Sequence, residues 1–256
     1  MLGLAVTLAL LLLVERWIHR HLQGTMLLLT GDREIAVILY ALPLMPGILL
    51  HEISHALVAK LLGVRVGKVS IRPKLADERI QLGFVPVEET DAVRASLIGL
   101  APLLTGSAVI LLIGYLFFDI GAIIGNGSGP VEPAYANPGA LLPLRLLAHF
   151  IGLLRTPDVW LWTYLIFAVS NTMLPSESDR QSWTPVILFL ILAVALAWFA
   201  GLGPTIVEHL GRPLDLATRW LTTVYGFTIV ADLPFMGLIL LVEWAIGRIK
   251  GVRVEY

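Results

Sequence analysis

The sequence predicts an all-α polytopic membrane protein with about six transmembrane helices and a small β-hairpin between the second and the third. Of its 256 residues, 57% are hydrophobic and only 14% are charged, where a typical soluble domain carries about 25% charged residues. Mean hydropathy is +0.83. The apolar residues also gather into separate runs, several close to the ~20 residues that one crossing needs. One stretch breaks this rule and alternates with strand period.

Composition narrows the chemistry. The net charge of -1 gives no general attraction for nucleic acid. There is no cysteine, which removes a disulfide framework, a thiol nucleophile and a Cys-based zinc site. A metal in this chain must sit on His, Asp and Glu.

Residues 1–14 are almost wholly apolar and lack the basic start and small-residue cleavage site of a signal peptide. They predict a first helix that stays in the protein, edged by Arg16 and Trp17. His19 and His21 follow in a first loop, near enough to each other to suggest a metal, but read as a solvated face. Residues 35–63 form the second span. Pro43 and Pro46 predict a kink in it, and Gly63 a C-cap. Within 64–90, VRVGKVSIRP and RIQLGFVPVE alternate apolar and polar positions around a break at Asp77–Arg79, the pattern of a hairpin.

Residues 95–118 are the third span. Gly99, Ala101, Gly106, Ser107 and Ala108 give it a small-residue face. Residues 119–140 are rich in Gly, Pro and Asn and read as a loop. Residues 141–154, with Arg145 and His149, are short for a crossing and predict an interfacial or re-entrant helix. Spans at 158–174, 183–203 and 222–247 complete six, with 204–221 at the interface and Asp232 and Pro234 near the middle of the last. Asp232 and His149 read as local polar groups, and most of the seven tryptophans as interface anchors. There is no internal repeat.

Lys60, Arg65, Lys68, Arg72, Lys74, Arg79 and Arg94 cluster after the second span, whereas 119–140 holds no Lys or Arg. Basic loops stay cytoplasmic. This predicts a multi-pass plasma (inner) membrane protein with both termini cytoplasmic, in agreement with Arg248, Lys250 and Arg253. A crossing by 141–154 would invert the later loops.

The chemistry lies in His51-Glu52-Ile53-Ser54-His55, an H-E-x-x-H motif inside the second span. Positions i and i+4 share a helix face, so both imidazoles reach one ion. Glu52, on the adjacent flank, is placed to take a proton from a zinc-bound water. Ionisable side chains inside a span are costly and persist mostly where they are used. The plainer reading is a polar cluster that bonds helices together. Catalytic zinc has three protein ligands and a water. The third ligand is then Glu177, Asp179, Asp232 or His149, and position favours the turn PSESDR at 175–180. For Asp179 alone, a solvated turn residue or helix N-cap is the bland alternative.

These residues resemble the site-2 protease family of intramembrane zinc metalloproteases. In that family H-E-x-x-H is followed in a later helix by Asn-x-x-Pro and a Leu-Asp-Gly turn. Here the matching stretch is Asn171-Thr-Met-Leu-Pro175-Ser-Glu-Ser-Asp179-Arg180, with the same eight-residue step from Asn to Asp. HEISHALVAKLLGVRV is similar to the family's catalytic helix and following strand, and Arg94 to Pro102 to its next helix start. The resemblance covers residues 35–180, the catalytic core, and leaves 183–256 as C-terminal helices.

Pro175 stands one place later than the family's proline, Arg180 replaces its glycine, and Ala101 replaces another. No insertion is large enough for the family's frequent PDZ module. The resemblance implies one Zn2+ per chain on His51, His55 and Asp179, with Glu177 as the alternative third ligand. It implies Glu52 as general base and Asn171 as the group that holds the substrate backbone or supports the oxyanion. The implied activity is hydrolysis of transmembrane protein substrates within the lipid bilayer. An unwound substrate segment would pair with the edge of the 64–87 hairpin. The competing classes are a catalytically inactive scaffold and a metal transporter with an intramembrane metal site.

Overall fold

The computed structural model describes residues 2–120, 147–152 and 156–252, apart from residues 72, 77, 78, 149 and 157. The predicted loop is outside the described residues from 121 to 140. So are Arg145, His149 and Arg253, and most of the predicted interfacial helix at 141–154.

Helices dominate the described residues. They are α1 (Leu2–Thr30), α2 (Arg33–Ala41), a 3-10 turn (Leu42–Leu44), α3 (Met45–Leu61), α4 (Ala92–Phe117), α5 (Val159–Met173), α6 (Trp183–Phe199) and α7 (Gly203–Lys250). Among the described residues, four helical stretches are long and apolar enough to cross a membrane: α1, the stretch Arg33–Leu61, α4 and α7. The chain thus has the make-up of a helical membrane protein, but six separate long spans are not found among the described residues. With 15 and 17 residues, α5 and α6 rise only about 22 and 26 Å against a hydrocarbon core of about 30 Å. The segment 204–221, expected at the interface, is continuous with the last span in the 48-residue α7.

The first helix also runs further than expected. It passes through Arg16, His19 and His21 to Thr30, because its buried residues Leu11, Glu15, Ile18, Leu22 and Thr25 keep helical phase across the polar stretch. The predicted solvated loop is therefore a helix–helix contact. His21 Nδ1 lies 2.8 Å from a Glu243 carboxylate oxygen on α7, and its ring stacks on Trp17 at 4.1 Å.

The second span breaks at its prolines. Pro43 lies in the 3-10 turn and Pro46 in the first turn of α3, where a missing N–H costs least. Gly63 ends α3 with a φ of +74°, while the Val64 N–H donates to the Ala59 carbonyl at 2.9 Å.

The segment 64–90 pairs less than its alternation predicts. Among the described residues, β1 (Lys74–Ala76) and β2 (Arg79–Gln81) form the one regular antiparallel ladder, with Leu75 opposite Ile80. Beyond it stand two isolated bridges, Val66 to Val87 and Ser70 to Phe84. Among the described residues the ladder does not run unbroken, and Pro73 and Pro86 have no N–H to give it. Ile80 and Leu82 instead pack on the cluster of Ile18, Tyr40, Leu44 and Ile48. This folds the segment back over α3.

Close packing of α3, α4 and α5 rests on glycine. A Cβ on Gly47 would overlap the Ala168 carbonyl oxygen, and one on Gly106 would meet the Met173 Cβ at 2.6 Å. Gly99, Ala101, Gly106 and Ser107 are buried on the expected small-residue face; Ala108 falls on the exposed side.

Candidate metal centre

Gly47 brings α3 onto α5 at Ala168, and one turn later on both helices His51 meets Thr172. The His51 Nδ1–H donates to the Thr172 carbonyl at 2.5 Å. The His55 Nδ1–H donates to the Ile98 carbonyl of α4 at 2.8 Å. A carbonyl only accepts, so both Nδ1 atoms carry the proton. In the neutral ring each Nε2 then keeps its lone pair. The two Nε2 atoms face each other at 3.1 Å.

The third member comes from the turn after α5. Pro175 bars helical geometry from the residue before it. Leu174 is accordingly extended at φ -68° and ψ 137°, and α5 stops at Met173. The chain turns back, and Asp179 Oδ1 reaches 3.3 Å from His55 Nε2 while Oδ2 lies 3.7 Å from His51 Nε2. Gly99 makes room for this turn: a Cβ there would overlap the Asp179 carbonyl oxygen. Ser176 fixes the carboxylate, its N–H donating to Oδ2 at 2.7 Å and its Oγ–H at 2.6 Å.

His51, His55 and Asp179 are the one group of three metal-capable side chains among the described residues, with ligand atoms within 4.8 Å of one another. The set fits a small divalent ion. Ligands roughly 2.0–2.1 Å from a tetrahedral ion stand about 3.3 Å apart, and the three separations here are 3.1, 3.3 and 3.7 Å. Two neutral imidazoles, one carboxylate and bonded outer partners match the donor chemistry of such a site. Glu177 is exposed and Asp232 is buried elsewhere, and neither belongs to the group.

The group opens on a cavity of about 1130 Å³, also lined by His19, Tyr40, Glu52, Asn171 and residues 82–88. Glu52 is buried between α3 and this returning segment, where a Cβ on Gly83 would overlap its carboxylate. Asn171 is buried as well. Its Nδ2 donates to the Phe167 carbonyl at 2.9 Å and to Asp232 Oδ1 at 3.3 Å, while its Oδ1 has no partner among the described residues.

Sequence reading missed His19, Tyr40 and Ser176. His19 is on the cavity wall rather than on a solvated face, with its Nδ1 2.6 Å from the Tyr40 hydroxyl. Its phase on α1, four residues after buried Glu15, is the signal that finds it. Asp232 is not a simple kink residue; it bonds the side chains of Ser170 and Asn171 across two helices. Comparison of the chain with protein-family models, curated proteins and solved structures finds no match.

Proposed function

We propose that the chain is an intramembrane zinc metalloendopeptidase that hydrolyses peptide bonds of transmembrane protein substrates. The observation that carries this reading is a convergent His51, His55 and Asp179 group beside a buried Glu52, all on one large cavity among apolar helices. The resemblance of HEISH and of Asn171 to Asp179 to site-2 proteases supports it.

His51, His55 and Asp179 would hold one zinc ion per chain. When bound, zinc supplies Lewis acidity that makes water a nucleophile near neutral pH. Glu52 accepts a proton from the attacking water and passes it to the leaving amine as the C–N bond breaks. Asn171 holds the substrate backbone. The 82–88 segment, with its bridges at Phe84 and Val87, offers an extended wall for an unwound substrate segment, whose freed amides find no partner in lipid.

The basic residues from Lys60 to Arg94 assign the site end of the bundle to the cytoplasmic side of the plasma (inner) membrane, with both termini on that side. The test is cleavage of a transmembrane peptide, carrying a fluorophore and a quencher, by detergent-purified protein. Cleavage that needs metal and Glu52 is expected. Metal retained with no cleavage would favour a scaffold or metal transporter.

A further inference from the structure

Asp232 is 0% exposed in the middle of α7. A carboxyl group so deep in a membrane helix is costly and persists where it is used. Its Oδ1 accepts from Ser170 Oγ and from Asn171 Nδ2, each at 3.3 Å. Asn171 Nδ2 also donates to the Phe167 carbonyl at 2.9 Å and to Ser170 Oγ at 3.3 Å.

These contacts fix which way the amide faces. A flipped amide would set its Oδ1 against the Phe167 carbonyl, which can only accept. The NH2 group is therefore committed to the helix side. The Oδ1 is left over, buried and without a partner among the described residues, in a residue that lines the metal-centre cavity. Buried acceptors are normally satisfied. A backbone N–H of a peptide that enters beside Asn171 would supply the missing donor. With its NH2 already bonded, Asn171 has no donor to offer a developing oxyanion.

We propose that Asp232 is a positioning residue that locks the Asn171 amide with Oδ1 free to accept a backbone N–H of the bound substrate. This rests on the peptidase reading and assigns one of its substrate contacts. Of the groups that hold the amide, Phe167 and Ser170 belong to α5 with Asn171, and Asp232 alone comes from α7, outside the motif-bearing core.

The test uses the full chain in detergent with the same quenched transmembrane peptide. Asp232→Ala should lower kcat/KM about tenfold, the effect of one misplaced hydrogen bond, with metal content unchanged. Asp232→Asn keeps an acceptor for Nδ2 and should restore cleavage. In an Asn171→Ala background, Asp232→Ala should cost nothing further, because it acts only through that amide. A second readout needs no activity. The chain has three asparagines, and in protein labelled with 15N-asparagine the Asn171 side-chain amide should exchange its protons at least tenfold faster in Asp232→Ala, and not in Asp232→Asn.

Asp232→Ala at wild-type activity, costs that multiply in the double variant, or unchanged amide exchange would overturn the proposal. Wild type that cleaves no better than Glu52→Gln would instead sink the peptidase reading. Amide exchange would then decide whether Asp232 positions Asn171.

Discussion

The Nε2 atoms of His51 and His55 lie 3.1 Å apart with their lone pairs facing, because the Thr172 and Ile98 carbonyls hold both Nδ1 protons. Two lone pairs at that range repel unless a cation or a proton lies between them. The backbones of two neighbouring helices thus orient both imidazoles, and Asp179 closes the group from a third direction.

Glu52 is expected to act on protons and not on the metal. Glu52→Gln keeps the shape and burial of the side chain but removes the base. Metal content should match wild type, while cleavage of the quenched peptide falls about 10²- to 10⁴-fold, the range for general acid–base catalysis. Unchanged cleavage would remove Glu52 from the mechanism.

Ser176 aims the Asp179 carboxylate through two donated bonds at 2.7 and 2.6 Å. Ser176→Ala removes the hydroxyl bond and leaves the backbone one. Outer partners of this kind are worth about 10- to 100-fold in metal affinity. Competition with a chelator should show a loss near the lower end of that range.

Gly99→Ala separates helix propensity from site geometry. In a helix interior alanine is favoured over glycine by about 1 kcal/mol. Here the added Cβ meets the Asp179 carbonyl oxygen. Helix content by circular dichroism should hold or rise while metal affinity falls, because the turn that carries Asp179 must move. Gain of both would show that the turn does not depend on this contact.

Asp91 caps α4, its carboxylate accepting from the Arg94 and Val93 backbone N–H groups. The Arg94 N–H is the first cause holding its pKa below the ordinary value of 3.8. A depressed acid contributes stability that is present above its unfolded pKa and lost as pH falls through the folded one. The cap's contribution should therefore be full at neutral pH and fade below about 3.8. Asp91→Asn should flatten that acid limb in a thermal-unfolding series and leave the neutral end nearly unchanged.

The sequence makes the helical, membrane-embedded class legible because apolar runs of helical length have few other uses. His51, Glu52 and His55 are legible too, since i and i+4 on one helix is a local relation. Asp179 is not local. Its place depends on Pro175 ending α5 and on Gly99 leaving space, and residues alone leave it beside Glu177, Asp232 and His149 as candidates. His19 shows how hydropathy misleads. The WIHRH stretch loses apolar character and reads as a loop, yet its helical phase continues and its histidines bond Tyr40 and Glu243 on other helices. The same holds for 204–221, whose mixed composition hides the continuation of α7 through Pro213. The Asn171 to Asp232 bond joins residues 61 positions apart, a distance that no periodicity reports.

The central claim is a three-ligand metal site on His51, His55 and Asp179. The most direct test is the zinc content of detergent-purified wild type beside His55→Ala and Asp179→Ala. About one zinc per chain in wild type, lost or strongly weakened in both variants, is the predicted result. Wild type without zinc even after the metal is supplied, or Asp179→Ala holding zinc as tightly as wild type, would contradict it.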